Sequence, residues 1–451
     1  MSDHPTIALR LAEALSRPVS AADRARARLH LLDWAGCAVA GAREPGVAEV
    51  RALAEIEGRG SCHVVGGRPA GPQAAALANG PAGAILEMDD VDKRALLHPG
   101  PVVVPAVLAA AEVLGVEDGG ALLDAMVRGY DAMIRVGRAV GPGHYANFHA
   151  TATCGGFGAA AAAACLMGLD PRATAWAIGN AGQQAFGLWQ VRNEPVFTKA
   201  LHNGRAASNG LAAALLAGRG FAGPLEIFEG PQGFFAAMCP GGNPEDVLRD
   251  AGGAWAIHEV SFKPHAACRH AHAAIDAVLE LRGQASGRTL QSLEIRSYRD
   301  ALTFCDRPEP LTTGQGKFSL QHAGAIAWLH GDAVVERFAA EGLTEPRLAE
   351  LRSMIAVAED LEITARYPAR FGASALARFT DGSSLEVEAP DALGDPERPV
   401  SEAQLLAKAR SLMAWGGLND ASSERLIAAA LGQGGWAHVA DFTSALPGAS
   451  A

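Results

Sequence analysis

The chain has 451 residues, of which 49% are hydrophobic and 19% are charged, and its formal net charge is -11 at pH 7. This length and apolar content suit a folded protein of about two to three domains at roughly 150 residues each. An acidic chain without a basic cluster repels phosphate backbones, so the charge balance disfavours a nucleic-acid-binding role.

The apolar residues are dominated by Ala and Gly, which favours closely packed helices. The longest uncharged apolar run, residues 155–169, is shorter than the ~20 residues that cross a bilayer, so we expect a soluble protein. Seven scattered cysteines without a CxxC pair disfavour a disulfide framework, a zinc ribbon and an iron–sulfur cluster. The N-terminus lacks the features of a signal or transit peptide, so we expect a cytoplasmic location.

Helical periodicity dominates the chain up to about residue 260. Ile7, Leu11 and Leu15 follow the spacing of an amphipathic helix. Ser20 and Asp23 form a capping-box pattern that predicts the start of a second helix, which continues through residues 30–41. The apolar pattern predicts further helices over residues 103–115, 119–139, 151–168, 171–186 and 203–219.

The pattern changes after about residue 262. A helix over 270–282 precedes alternating residues at 293–297, which predict a strand, and residues 361–365 alternate in the same way. Residues 373–379 and 384–389 flank a turn sequence and predict a hairpin. Helical periodicity returns between about residues 401 and 431. We therefore predict a mainly α protein with an all-helical domain from residues 1–262 and 400–451, and a smaller α+β domain over 263–399.

Candidate functional residues are polar groups within apolar stretches, because no dinucleotide, phosphate-loop, zinc-protease or serine-hydrolase motif is present. Asp89 and Asp90 lie in an acidic run before His98, and clustered carboxylates can act as acids or hold a histidine. A solvated turn is the alternative. His149 and Thr151 precede the Ala/Gly helix, whose N-terminal N–H groups suit a carboxylate ligand, although Thr151 could simply cap the helix.

Two further segments carry positive charge. Lys199, His202 and Arg205 recur at a spacing of three, so on a helix they could bind an anion together or form a solvated face. A second segment contains three histidines and two cations, namely Lys263, His265, Arg269, His270 and His272. Their spacing matches no usual ligand set and the cations oppose a metal ion, so we expect no metal there. Lys317 and His322 form a weaker candidate pair.

The sequence resembles the MmgE/PrpD family over nearly its whole length. The resemblance is carried by HLLDWAGCAVAG, DDVDKRALLHPG, NFHATATCGGFG, FTKALHNGRAASNG, KPHAACRHAHAAIDAV and GKFSLQHAGA, in this order. That family includes 2-methylcitrate dehydratases that lack an iron–sulfur cluster, cis-aconitate decarboxylases and iminodisuccinate epimerase. The resemblance implies an α-helical domain formed by both chain ends, an inserted α+β lid, a homodimer, and an active site in the cleft between the domains.

The resemblance also implies functional positions. The catalytic positions are Asp89 or Asp90, His98, His149, Lys199 and His272, and Lys263 and Arg269 are neighbouring cations on the lid. Departures from the family pattern occur at Val91-Asp92, Gly100 and Ala200, which places a standard methylcitrate substrate in doubt. We expect His98 and His149 to transfer protons, an aspartate to orient a histidine, and His272 to be a second proton donor. Substrate contacts are then expected from Lys199, Arg269, Lys263, His202, Arg205 and Thr151.

These observations together predict a cofactor-independent lyase of the 2-methylcitrate dehydratase type, acting at a carbon next to a carboxylate of a small di- or tricarboxylate. Such chemistry needs a group that exchanges protons near neutral pH and cations that hold carboxylates. An epimerase or a decarboxylase on the same scaffold is the first alternative. A non-catalytic carboxylate-binding protein and a metal hydrolase built on the histidine cluster are the others.

Overall fold

The computed structural model of the chain describes residues 5–433 and 438–449, which form two compact units. The first unit comprises residues 5–85 and 89–260 together with the described residues from 406 onward. The second comprises Leu86–Met88 and Ser261–Leu405. The candidate residues between Asp89 and Arg205 lie in the first unit, whereas the histidine-rich segment over 263–272 lies in the second.

The first unit is built from helices and one short strand, β1 (Arg59–Cys62). In chain order the helices are α1 (Ile7–Leu15), α2 (Ala21–Gly41), α3 (Val47–Glu57), α4 (Pro72–Ala84), α5 (Gly100–Leu114), α6 (Gly119–Ala139), α7 (Pro142–Asn147), α8 (Ala150–Leu166), α9 (Pro171–Gly182), α10 (Thr198–Ala217) and α11 (Phe234–Met238). After the second unit follow α20 (Asp420–Leu431) and α21 (Val439–Thr443), while α19 (Glu402–Trp415) spans the boundary between the units. The helices predicted from periodicity are all present, with bounds that differ by a few residues.

Helix α8 lies at the centre of this unit and packs against α5, α6, α9 and α10. Small side chains make this packing possible. A Cβ atom on Gly158 would lie 2.7 Å from the Gly129 carbonyl oxygen of α6, and one on Gly210 of α10 would lie 2.5 Å from the Gly156 carbonyl oxygen of α8. The Ala/Gly-rich composition therefore reflects helices whose backbones nearly touch.

The start of α2 shows how local sequence sets a helix boundary. The Ser20 hydroxyl accepts a hydrogen bond from the Asp23 backbone N–H, and the Asp23 carboxylate accepts one from the Ser20 backbone N–H at 2.8 Å. This is the capping box predicted from the two residues, and it satisfies N–H groups that a helix end leaves unpaired. No helix among the described residues is long and apolar enough to span a bilayer.

The second unit contains a four-stranded mixed sheet in the order β3-β2-β4-β5. Its strands are β2 (Leu290–Ser297), β3 (Ile355–Glu359), β4 (Ala373–Phe379) and β5 (Ser384–Ala389). Strand β2 pairs with β3 in parallel and with β4 antiparallel, and β4 and β5 form the predicted hairpin. The helices are α12 (His272–Gln284), α13 (Arg299–Cys305), α14 (Thr313–Lys317), α15 (Leu320–His330), α16 (Ala340–Thr344), α17 (Pro346–Ser353) and α18 (Leu361–Arg366).

One strand prediction in this unit is wrong. Residues 361–365 alternate like a strand, yet they lie in α18. The Asp360 carboxylate accepts hydrogen bonds from the backbone N–H groups of Glu362 at 2.8 Å and Ile363 at 3.0 Å, which starts a helix. Leu361 is 71% exposed, so the alternation does not define a buried face. The broader prediction, a mainly α chain with a smaller part that mixes helices and strands, is confirmed.

Candidate active site

A short clamped loop presents the first candidate residues in the helical unit, between α4 and α5. Two backbone hydrogen bonds between Asp92 and Leu97, of 2.9 and 3.4 Å, close the loop. Arg138 of α6 donates to both oxygens of the Asp92 carboxylate, one of them at 3.2 Å. Asp92, where the family pattern differs, therefore serves to fix the loop that ends at His98.

His98 is held at one ring nitrogen and available at the other. Its Nδ1 lies 3.0 Å from an Asp89 carboxylate oxygen and 2.9 Å from the Asp90 carbonyl oxygen. Both oxygens only accept hydrogen bonds, so Nδ1 carries a proton. Within residues 5–433 and 438–449, Nε2 has no hydrogen-bond partner. The backbone N–H of His98 donates to the Thr151 hydroxyl at 3.1 Å; Thr151 lies inside α8, whose N-cap residue is His149, so its hydroxyl positions His98 and does not cap the helix.

Asp90 has a supporting role that sequence alone could not separate from that of Asp89. Its carboxylate accepts three hydrogen bonds, from His30 Nδ1 at 2.7 Å, from the Tyr130 hydroxyl at 2.8 Å and from the Gly100 N–H at 2.8 Å. Burial, followed by the Asp90 charge, raises the pKa of Tyr130 well above its usual value, so the phenol remains a donor. The Asp90 carboxylate is thus committed within the protein, and Asp89 provides the carboxylate that contacts His98.

The second candidate group joins α8 and α10. His149 precedes the first turn of α8, and its Nδ1 lies 3.1 Å from Nδ1 of His202, so one ring donates to the other. The Trp189 ring lies 4.6 Å from that of His149, measured between centroids. His149 Nε2 is buried and has no hydrogen-bond partner among the described residues. A buried polar atom without a partner is costly, and a substrate group would satisfy it.

Both histidines of this pair are neutral near pH 7. Burial, followed by the Lys199 charge, lowers the pKa of His202 to about 4. Burial also lowers the pKa of His149 well below its usual range, with smaller contributions from Lys199, His202 and His98. Lys199 is half-buried and lies one helical turn before His202 on α10. Its cation is therefore close enough to act on both rings.

Arg205 does not join this group. It lies on α10 one turn after His202, but its side chain is exposed whereas His202 is buried. A spacing of three changes the direction by about 60° on a helix, and two such steps place Arg205 well away from Lys199. The structure therefore brings together His149, His202 and Lys199 and leaves Arg205 on the exposed face.

His272 of the second unit has a fixed tautomer. Its Nε2 donates to the Ala267 carbonyl oxygen at 3.1 Å, so Nδ1 holds the lone pair of the neutral ring. Burial lowers the pKa of His272 well below its usual range, and the charges of His265, Arg269 and Lys263 contribute to the shift. Nδ1 is buried without a hydrogen-bond partner in the described chain. This geometry fits an acceptor, which differs from the expected role of proton donor.

The two candidate cations of the second unit have carboxylate neighbours. Lys263 is fully buried, and its Nζ lies 3.6 Å from a Glu87 carboxylate oxygen. Arg269 donates through Nη2 to Asp395, which also accepts the Ser261 hydroxyl at 2.6 Å. Nε and Nη1 of Arg269 are buried without hydrogen-bond partners among the described residues. Arg269 therefore retains two donors for a further anion.

The remaining histidines of this segment have separate partners. His265 Nε2 lies 2.8 Å from an Asp276 carboxylate oxygen, and His270 Nδ1 lies 2.8 Å from the Tyr298 hydroxyl. Among residues 5–433 and 438–449, no group of three His, Cys, Asp or Glu residues is arranged to hold a metal ion. The weaker candidate His322 accepts from Arg352 at 3.2 Å, which gives it a local structural partner.

Sequence comparison places these residues in a family context. A model of the MmgE/PrpD N-terminal domain matches residues 7–246, and a model of the MmgE/PrpD C-terminal domain matches residues 265–433. The chain belongs to the MmgE/PrpD family. The sequence-based assignment to this family is thereby confirmed.

Curated relatives of this MmgE/PrpD protein are lyases. A cis-aconitate decarboxylase-like protein of Aspergillus oryzae is 30% identical over 417 residues, which cover 86% of this chain and 85% of that protein. A cis-aconitate decarboxylase of Aspergillus terreus is 28% identical over 86% of this chain and 84% of its own length. A mitochondrial 2-methylcitrate dehydratase of Yarrowia lipolytica is 25% identical over 58% of this chain and 53% of its own length. The prediction of an enzyme of the lyase class is confirmed.

His30 and Tyr130 are two polar residues of the first unit that contact Asp90 and that sequence reasoning missed. Both lie within helices, α2 and α6, and both are fully buried. A histidine within the apolar face of α2 was a detectable signal, because a buried polar ring requires a partner. Its partner Asp90 is 60 residues away, and only the packing of α2 against the loop reveals it.

Proposed function

We propose that this MmgE/PrpD protein is a carboxy-lyase that removes carbon dioxide from a small tricarboxylate of the cis-aconitate type. The observation that supports the proposal is a pair of histidines, His98 and His149, each held at Nδ1 and without a partner at Nε2 among the described residues. Chemistry at a carbon next to a carboxylate requires this combination of oriented proton carriers and a nearby cation. Two relatives that match 86% of the chain are a decarboxylase and a decarboxylase-like protein, which favours decarboxylation.

The proposed reaction has two charge changes. The bond between a substrate carbon and the departing carboxylate breaks, carbon dioxide leaves, and the electron pair remains on the substrate. A proton must then be added to a carbon that shares this charge. His98 is the proposed donor through Nε2, because Asp89 stabilises the imidazolium that forms when Nε2 takes up a proton.

The remaining groups hold the substrate. Lys199 would pair with a retained carboxylate, and neutral His149 would share a hydrogen bond through Nε2. Within the second unit, Arg269 keeps buried donors and His272 Nδ1 is a buried acceptor, so this unit also carries groups able to bind a carboxylate. These residues supply both the proton and the positive charge, so the proposal involves no cofactor.

A dehydratase is the second candidate, because a 2-methylcitrate dehydratase is among the relatives. In that reaction His98 would protonate a departing hydroxyl group and another group would remove the C–H proton. The residues of the clamped loop are compatible with both reactions. The stronger match to decarboxylases decides the order of the two proposals.

The purified full-length chain should be incubated with cis-aconitate, 2-methylcitrate or iminodisuccinate in D2O and followed by ¹H and ¹³C NMR. We expect carbon dioxide release from cis-aconitate and one deuterium in the product. Loss of water from 2-methylcitrate would support the dehydratase, and exchange without net conversion would support the epimerase. Turnover of none of these by a folded protein would contradict the proposed function and favour carboxylate binding alone.

A further inference from the structure

His30 is a buried polar residue outside the set of predicted site residues. It lies on α2 with no exposed surface, and its Nδ1 is 2.7 Å from a carboxylate oxygen of Asp90. The Tyr130 hydroxyl donates to the same oxygen at 2.8 Å. Two buried side chains from different helices thus converge on one oxygen of a loop residue.

The donor direction of His30 follows from its surroundings. Burial and then the Arg26 charge lower the pKa of His30 to about 4, although the bond to Asp90 opposes the shift. The ring is therefore neutral near pH 7 and carries one proton. Because the Asp90 carboxylate accepts, that proton is at Nδ1 and His30 donates.

Asp90 transmits this contact to the loop through two other bonds. Its second carboxylate oxygen accepts the Gly100 N–H at 2.8 Å, and its carbonyl oxygen lies 2.9 Å from Nδ1 of His98. A rotation of the Asp90 side chain would therefore release the Gly100 N–H, two residues after His98, and any accompanying movement of the Asp90 backbone would shift the carbonyl oxygen that holds His98. His30 and Tyr130 supply the donors that oppose this rotation.

We propose that His30 is a positioning residue that fixes the Nδ1-protonated form and the orientation of His98 by holding Asp90. The role of His98 in proton transfer rests on the proposed function, whereas its tautomer and orientation do not. Removing the hydrogen-bond partner that orients a metal-binding imidazole typically changes affinity or activity by about 10- to 100-fold, and we expect an effect of the same order for His98. His30 would then affect kcat more than KM, because its side chain has no exposed surface and contacts Asp90.

The test compares His30→Asn with His30→Gln. An Asn amide nitrogen can occupy the place of Nδ1, whereas a Gln amide nitrogen reaches the place of Nε2, so the two variants differ mainly in where the donor lies. We expect His30→Asn to retain kcat within about fivefold, and His30→Gln to lose about 10- to 100-fold in kcat with KM changed less than threefold. Equal kcat values for the two folded variants would overturn the proposal.

A second readout does not depend on turnover. ¹⁵N spectra of ring-labelled histidine, with His98 assigned from a His98→Gln variant, report which nitrogen carries the proton. We expect a protonated Nδ1 in the wild type and in His30→Asn, and a mixture of tautomers in His30→Gln. An unchanged His98 signal in His30→Gln would overturn the positioning role. If the wild type turned over no substrate, the proposed function would fail while this readout would still decide the role of His30.

Tyr130→Phe covers the case in which His30→Gln does not fold. The substitution removes only the other donor to the same Asp90 oxygen and keeps the ring in place. We expect a smaller change in the same direction, with about a three- to tenfold lower kcat and a partial shift of the His98 tautomer. An unchanged kcat and an unchanged His98 signal in this variant would overturn the proposal that donors at Asp90 control His98.

Discussion

Asp89→Asn tests how the loop prepares His98. The substitution removes the charge at 3.0 Å from Nδ1 but leaves the Asp90 carbonyl oxygen at 2.9 Å, which still accepts the same proton. The tautomer is therefore retained in part, and the main loss is one charge-assisted hydrogen bond of about 1.5–3 kcal/mol. Since about 1.4 kcal/mol corresponds to a factor of ten, kcat should fall about 10- to 150-fold. This is less than the ~10⁴-fold loss in a catalytic triad whose orienting carboxylate is replaced by an amide.

The assay is the initial rate of carbon dioxide release from cis-aconitate, with kcat and KM measured separately. Asp92→Asn is the matched control, because it removes a carboxylate from the same loop whose partner is Arg138 and not His98. We expect Asp92→Asn to lower the unfolding temperature and to reduce kcat less than Asp89→Asn does. A folded Asp89→Asn variant with kcat within threefold of wild type, or an equal loss of kcat in Asp92→Asn, would refute the reasoning.

Three further predictions concern charge and burial. Lys199→Gln should raise KM about tenfold, whereas Arg205→Gln on the exposed face should change kcat/KM less than threefold. Equal effects of the two substitutions would contradict the inference that Arg205 lies away from the site. Burial and then the Arg352 charge lower the pKa of His322 to about 4. The folded protein should therefore lose about 2 kcal/mol of stability at this residue between pH 7.5 and pH 5. Urea unfolding of His322→Gln should lack this pH-dependent loss. Lys408→Met should cost about 3–5 kcal/mol in urea unfolding, because the Asp33 carboxylate 2.6 Å away is buried, and adding Asp33→Asn should recover most of it. A double variant no more stable than Lys408→Met would contradict that explanation.

The sign of the pH prediction follows from the direction of the shift. Between about pH 6.5 and pH 4 the unfolded chain binds a proton at His322 that the folded chain does not bind. Stability is therefore complete above about pH 6.5 and falls as the pH decreases towards 4. Burial lowers the pKa of His30 and of His202 to about 4 as well, so the wild type should lose stability over the same range.

Part of the fold and of the candidate site could be predicted from local sequence. The long helices follow from apolar periodicity, the start of α2 from Ser20 and Asp23, and the β4–β5 hairpin from its turn residues. Residues 361–365 show the limit of the same reasoning. Alternation over five residues cannot be distinguished from a short capped helix until the cap, here Asp360, and the burial of each side chain are known.

The site residues divide along the same line. The sequence alone determined which segments carry polar chemistry, because His98, His149 and Lys199 interrupt apolar stretches and match a family pattern. Tertiary structure decided what each residue does, since hydrogen bonds depend on partners that are distant in the chain. His30 lies 60 residues from Asp90, and His149 lies 53 residues from His202.

The net charge of -11 likewise follows from the sequence, but the local arrangement of the charges does not. Asp90 and Asp92 are committed to donors within the protein, while Lys199 remains near two neutral histidines and Arg205 is exposed. Composition sums all charges, whereas function depends on which charges are neutralised by neighbours a few ångströms away. Only the packing of helices around the clamped loop sets those distances.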